Sequence, residues 1–295
     1  MFNFQSQTLQ NWLNRFIIPA VFVFIWSAGF VVARYAMPHS PPMSFLAVRF
    51  FCSLIAFAIW AYFSGVQWPQ SKSQTMHLLL VGALMQVGYL GGVWSAVRLG
   101  MGAGLSALIT GLQPILTAIW FSYIGSKIYP KQWWGLALGF LGVVLVLSDK
   151  LKHSFEATPL SLFFIILALS CITIGTIYQK HYLKSQDVRV ANTMQFLIAF
   201  VIAFPLALLE TETMHWNIEL AGAMIWSVLV STLLGASLLY VMIQKGATLS
   251  VTSLFYLVPP VAAIMAFVLF HEPLTWPIIL GTIITTLAVA LVVRS

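Results

Sequence analysis

Ser106, Thr110, Gln113 and Thr117 follow one another at intervals of four, three and four inside an otherwise apolar run. That spacing places all four on one face of a helix. Pro114 stands next to Gln113. It lacks a backbone N–H and crowds the carbonyl four residues back, so it frees the carbonyl of Thr110. Hydroxyls, an amide and a loosened carbonyl break no covalent bonds by themselves. They supply neutral donors and acceptors to a small polar molecule where water is scarce. An unpartnered amide in lipid is costly, which singles out Gln113.

A second stripe answers the first. At an offset of 146 residues, "GLQPILTA" (111–118) meets "LVPPVAAI" (257–264), so that Pro114 pairs with Pro260. The partners of Ser106, Thr110, Gln113 and Thr117 are Thr252, Tyr256, Pro259 and Ala263. Pro259 and Pro260 free the carbonyls of Phe255 and Tyr256 in their turn. The two stripes read as facing walls of one pathway. The alternative is two kinked, packed helices whose hydroxyls bond back to the preceding turn.

Arg49 lies within an apolar run, roughly 10 Å from its end at 1.5 Å per residue. Charges at such depth usually face a bundle interior and mark a pathway, although an arginine also snorkels outward. Its partner at the same offset, Gln195, is polar too, which favours an inward pair. Trp26, Tyr89 and Tyr256 are deep enough to line a pathway, and Gln86 joins them by polarity. Trp94 and Tyr240, nearer the run ends, fit an interfacial aromatic belt as well.

Other chemistries lack their groups. No Asp or Glu precedes Asp149, and no nucleophile–base pair, phosphate-binding loop or metal-ligand spacing occurs, so the sequence predicts neither an enzyme nor a cofactor or metal site. Proton-coupled carriers commonly use an embedded acid, and its absence leaves gradient-driven uniport or exchange open. A channel would want rings of like groups in an oligomer.

These side chains must be held by membrane helices. Of 295 residues, 60% are hydrophobic and only 7% charged, against about a quarter charged in soluble domains. At about 20 residues per span, ten helices are predicted: 17–36, 42–63, 76–98, 101–123, 131–148, 159–181, 190–209, 219–244, 247–270 and 274–293. No cleavable signal peptide is expected. With the N-terminus in the cytoplasm, nine Lys/Arg fall in inner segments and four in outer ones, so both termini are expected to be cytoplasmic. The net charge of +7 is topology information; no soluble basic face exists for nucleic acid.

The 146-residue offset also pairs Gly29 with Gly175, Arg34 with Lys180, Phe50 with Phe196 and Gly135 with Gly281. Five helices per copy is an odd number, so the second copy (159–294) enters from the side opposite to the first (17–148). The predicted fold is all-α and polytopic, with ten transmembrane helices as two inverted-topology repeats, the layout of many secondary transporters.

The segments "FIWSAGFVVARYAMPHSPPMSFLAVRF" (24–50), "GLSALITGLQPILTA" (104–118), "PKQWWGLALGFLGVVLV" (130–146) and "SVTSLFYLVPPVAAIMAFVLFHEPLTWPIILG" (250–281) resemble the EamA-type drug/metabolite transporter superfamily over nearly the whole chain. The resemblance implies an inner-membrane carrier of small organic metabolites, often outward, working by alternating access. Family members often carry Glu near the end of the fourth and ninth helices, as at Glu272; the equivalent first-half position here is Ser126. The expected partners are a small-molecule substrate, with amino acids or their derivatives first, and membrane lipid. Gly135, Gly139 and Gly142 assign the fifth and tenth helices to close packing or to a homodimer face. An accessory membrane scaffold is the rival reading.

Overall fold

The computed structural model describes residues 17–101, 103–151, 158–183, 186–245, 251, 253–270 and 275–293. Thr252 and Glu272 lie outside the described residues. The described chain is helical throughout, without strands.

Helix starts follow local chemistry. Pro falls in the first turn of α1 (Ile18–Ala36), α2 (Pro42–Phe63) and α6 (Pro159–Tyr182), where its missing N–H costs nothing. Thr158 and Ser161 complete a reciprocal capping box on α6. Ser71 caps α3 (Lys72–Arg98), Asp187 caps α7 (Val188–Leu208), and Asn217 caps α8 (Ile218–Gln244), each accepting a backbone N–H. The Ser71 cap starts α3 four residues before the predicted 76.

Two helices contain π-helical stretches, Ala83–Gly91 in α3 and Trp226–Ala236 in α8. Helix α4 breaks at Gly111 and Leu112 into Ala103–Thr110 and Gln113–Tyr123. Pro114, with no N–H to offer Thr110, stands in the first turn of the second piece. Helix α5 is Pro130–Leu151. A 3₁₀ turn, Leu254–Leu257, leads into α9 (Val258–Phe270), where Pro259 and Pro260 open the α-helical part. The last helix, α10, is Trp276–Val293.

Six helices (α1, α2, α3, α6, α7 and α8) are long and apolar enough to cross a membrane. Their outward faces carry Phe24, Ile59, Ile166 and Val201, all exposed, while Ser27, Asn192, Gln195 and Thr232 are buried. Apolar residues outward and polar residues inward suit lipid rather than water. The chain is a multi-pass membrane protein.

The most extensive helix pairings are α5 with α10 and α2 with α7. In the second, Phe196 packs on Phe50 and Phe57 with ring centroids 6.0 and 5.8 Å away. In the first, a Cβ on Gly142 would come within 2.7 Å of the Thr285 methyl and 2.9 Å of the Gly281 carbonyl. The glycine face of α5 is therefore closed against α10 within the chain. Helix α1 packs on α8 and α9, and α6 packs on α3 and α4.

Polar ties gather at the helix ends. At one end the Glu210 carboxylate accepts the backbone N–H groups of Met43 (2.8 Å) and Ser44 (2.7 Å) and the Ser44 hydroxyl (2.7 Å). Glu219 meets His39 at 2.9 Å, and Arg98 joins Glu212 to the Met37 carbonyl. At the other end Gln244 donates to the carbonyls of Leu183 (3.0 Å) and Gln186 (2.7 Å), and Lys180 donates to the Gln244 carbonyl (2.9 Å).

Candidate functional site

A cavity of about 70 Å³, room for roughly five waters at one probe sphere each, lies among α1, α2, α3, α6, α7 and α8. The π-helical stretches form much of its wall: Met85, Gln86, Tyr89 and Leu90 on one side, and Ser227, Ser231, Thr232 and Ala236 on the other. Bonding five residues back instead of four widens the turn and re-aims side chains, and such turns recur at functional sites.

Arg49 is 6% exposed. Its Nε and Nη2 both donate to the Thr232 hydroxyl oxygen at 3.2 Å, and the guanidinium stands 6.0 Å from the centre of the Trp94 ring. Trp94 is itself stacked on Phe45 at 4.5 Å. Trp26 stacks beside Tyr89 and donates its Nε1–H to the tyrosine oxygen at 3.1 Å, leaving the Tyr89 proton for another acceptor. Towards the ends of α6 and α8 the lining changes to amides and one phenol: Gln179, Asn192, Gln195 and Tyr240. Asn192 donates to the Val188 carbonyl at 2.9 Å. The amide nitrogens of Gln179 and Gln195 and the Ser227 and Ser231 hydroxyls are buried with no hydrogen-bond partner among the described residues. Buried polar groups normally have one, and all four residues contribute to the cavity lining.

Five residues singled out from the sequence, Trp26, Arg49, Gln86, Tyr89 and Gln195, line this cavity. Those on α4 and around the α9 entry do not. Gln113 is 1% exposed and donates to the Thr176 hydroxyl on α6 at 3.2 Å. Thr110 donates back to the Ser106 carbonyl at 2.8 Å, the satisfied-in-helix alternative. The Tyr256 ring fills the space that a side chain on Gly139 of α5 would need. The hydroxyls of Ser106, Thr117 and Tyr256 are nonetheless buried and without a partner among the described residues. Thr252 lies outside the described residues. The cavity is thus lined from α3 and α8, with α1, α2, α6 and α7 beside them, while the amide of α4 ties that helix to α6.

Thr232, Ser231, Ser227, Gln179 and Asn192 escaped the sequence reading, and Trp94 and Tyr240 also fitted an interfacial belt. The offset of 146 carries a signal for some of them. It maps Gln86 onto Thr232 and Trp94 onto Tyr240. Gln179 and Asn192 map onto Ala33 and Leu46, so only their polarity inside apolar runs marks them.

The EamA-like transporter family matches residues 16–148 and again 159–294. The chain belongs to the EamA-like transporter family. Its members are transporters rather than enzymes. Among similar proteins are two described as a probable amino-acid metabolite efflux pump. The one from Salmonella typhimurium is 24% identical, with 89% of each chain covered; the one from Escherichia coli is 24% identical, with 91% of each covered. An uncharacterized transporter of Bacillus subtilis, YvbV, is 22% identical over 94% of this chain and 90% of its own. A crystal structure 17% identical in sequence superposes with a TM-score of 0.76 over 94% of this chain and 96% of its own, a likeness of fold.

Proposed function

We propose that the protein is an inner-membrane secondary transporter that exports small organic metabolites, amino acids or related amphipathic compounds, by alternating access at the central cavity. The observation that carries this is the pairing of the cavity walls. At the offset of 146, Trp26 pairs with Ile172, Arg49 with Gln195, Gln86 with Thr232, and Trp94 with Tyr240, and both members of every pair line the cavity. A scaffold or a simple channel has no use for a cavity assembled from equivalent positions of two halves.

The same symmetry supports reading residues 17–148 and 159–294 as two inverted five-helix repeats spanning the membrane ten times. The π-helical stretch of α3 and that of α8 overlap at equivalent positions, as do the α4 break and the 3₁₀ turn before α9. Equivalent soft points let the two halves exchange shapes at small cost, giving outward- and inward-open states of similar energy. With both termini cytoplasmic, the Glu210, Glu212 and Glu219 ties lie on the outer side and the Gln244 ties on the inner side. The glycine faces of α5 and α10 close on each other, so a homodimer through these helices would use their exposed residues, such as Leu141 and Leu287.

The test is efflux from liposomes holding purified protein and labelled amino acids, their N-acetyl derivatives and their α-keto acids, with and without a pH gradient. Saturable efflux lost in Gln86→Leu but kept in Gln113→Leu is the expected result, with the substrate path through the cavity. Loss in Gln113→Leu alone would move the path to α4. Absence of efflux or binding for every compound, from folded protein, would overturn the transporter reading in favour of an accessory role.

A further inference from the structure

The cavity has one fixed charge. Arg49 donates from Nε and Nη2 to a neutral hydroxyl, and no carboxylate pairs with it among the described residues. The carboxylates whose side chains are described are engaged elsewhere: Asp187 with Arg189, Glu210 with the start of α2, Glu212 with Arg98, and Glu219 with His39. The remaining polar wall is neutral, made of side-chain amides, hydroxyls and phenols, and Tyr89, which accepts from Trp26, keeps its own proton to donate. At the position equivalent to Arg49 the other half has the neutral Gln195, so the charge is not balanced across the two halves.

We infer that the cavity selects organic monoanions, carboxylates whose amino group is absent or capped, over zwitterionic amino acids and over cations. This rests on reading the cavity as the transport site. A carboxylate neutralises the buried guanidinium, which among the described residues bonds only a neutral hydroxyl. A free ammonium on the same molecule would be stripped of water, held near Arg49, and offered only neutral acceptors and aromatic faces. The aromatic group around Trp26, Tyr89 and Trp94 takes the apolar body in either case, so the difference between ligands lies in the ammonium alone.

The experiment compares four ligands that share one side chain: N-acetylleucine, the α-keto acid of leucine, leucine and leucinamide. Each competes against labelled N-acetylleucine for counterflow into proteoliposomes of wild-type protein, at one pH and ionic strength. Both monoanions should compete at concentrations about 10- to 100-fold below leucine, the factor expected when a desolvated ammonium is left beside Arg49 without a charged partner, and leucinamide should not compete. Arg49→Gln should collapse the preference, and Arg49→Lys, which keeps the charge without the planar fork, should restore part of it.

Equal or better competition by leucine, or a preference unchanged in Arg49→Gln, overturns the monoanion assignment while leaving a carrier in place. If labelled leucine is carried and labelled N-acetylleucine is not, the assignment fails in the same way. If no labelled ligand is carried or bound at all, the transport site itself is refuted. The wild-type ligand series reads the preference even if the Arg49 variants fail to fold.

Discussion

Replacing Thr232 by valine removes one hydroxyl and nearly nothing else, since the two side chains share a shape. That oxygen accepts both Nε and Nη2 of Arg49 at 3.2 Å. Hydrogen bonds to charged groups contribute about 1.5–3 kcal/mol. Two features pull the figure down: 3.2 Å is the long end of the ordinary range, and the cavity can offer water to the freed guanidinium. Thr232→Val should therefore cost about 1–2 kcal/mol. The assay is a double-mutant cycle of Thr232→Val and Arg49→Met, with each protein unfolded by detergent titration in mixed micelles. With Arg49 in place the full cost should appear; once Arg49 is replaced, it should fall below about 0.5 kcal/mol. Equal costs in both backgrounds would refute the idea that Thr232 acts by holding Arg49. A valine variant as stable as wild type would refute it too.

Further outcomes follow from the packing and the helix ends. A Cβ on Gly82 would come 2.5 Å from the Cα of Gln195 and 2.6 Å from its carbonyl oxygen. Backbone cannot step aside as a side chain does, so Gly82→Ala should destabilise by about 1–3 kcal/mol and slow transport. In Gly222→Ala, where an added Cβ meets nothing within 4 Å, the melting temperature should hold or rise. Glu210→Ala strands two N–H groups at the start of α2 and removes a negative charge from its positive end; a loss of about 1–3 kcal/mol is expected in the same detergent titration, and Glu210→Gln should lose less. Asp187 is held below its ordinary 3.8 by its hydrogen bond to the Arg189 side chain. A depressed carboxyl stabilises fully above that value and less as the pH falls through the lowered one. The melting advantage of wild type over Asp187→Asn should be constant near neutrality and shrink below about pH 4; an advantage independent of pH would show that the charge contributes nothing.

Helix positions were legible because an apolar run with proline, serine or threonine at its start leaves few options in lipid. The limits 42–63, 159–181 and 219–244 read from the sequence match Pro42–Phe63, Pro159–Tyr182 and Ile218–Gln244 within a residue at most. Trp26, Gln86, Tyr89 and Gln195 were legible as polar or amphipathic groups within apolar runs, and Arg49 as a charge that could face inward or snorkel; the five meet on one cavity. The α4 stripe was legible as a stripe but not as to its partner: spacing says which side chains share a face, and not which neighbouring helix that face meets. The amide of Gln113 could have faced a cavity or the Thr176 hydroxyl, and either would satisfy it.

Composition, the apolar runs and the 146-residue offset by themselves determined an all-helical membrane protein with charge-poor helices and prolines at matched places. Those properties depend on transfer to lipid and on backbone sterics, which are local. The tertiary structure alone decided that α3 and α8, loosened into wide turns, face each other, and that Thr232 holds Arg49 across 183 positions of sequence. Which carbonyl a loosened turn bonds, and which helix a polar group meets, are set by how whole helices pack, and no periodicity along one chain contains that choice.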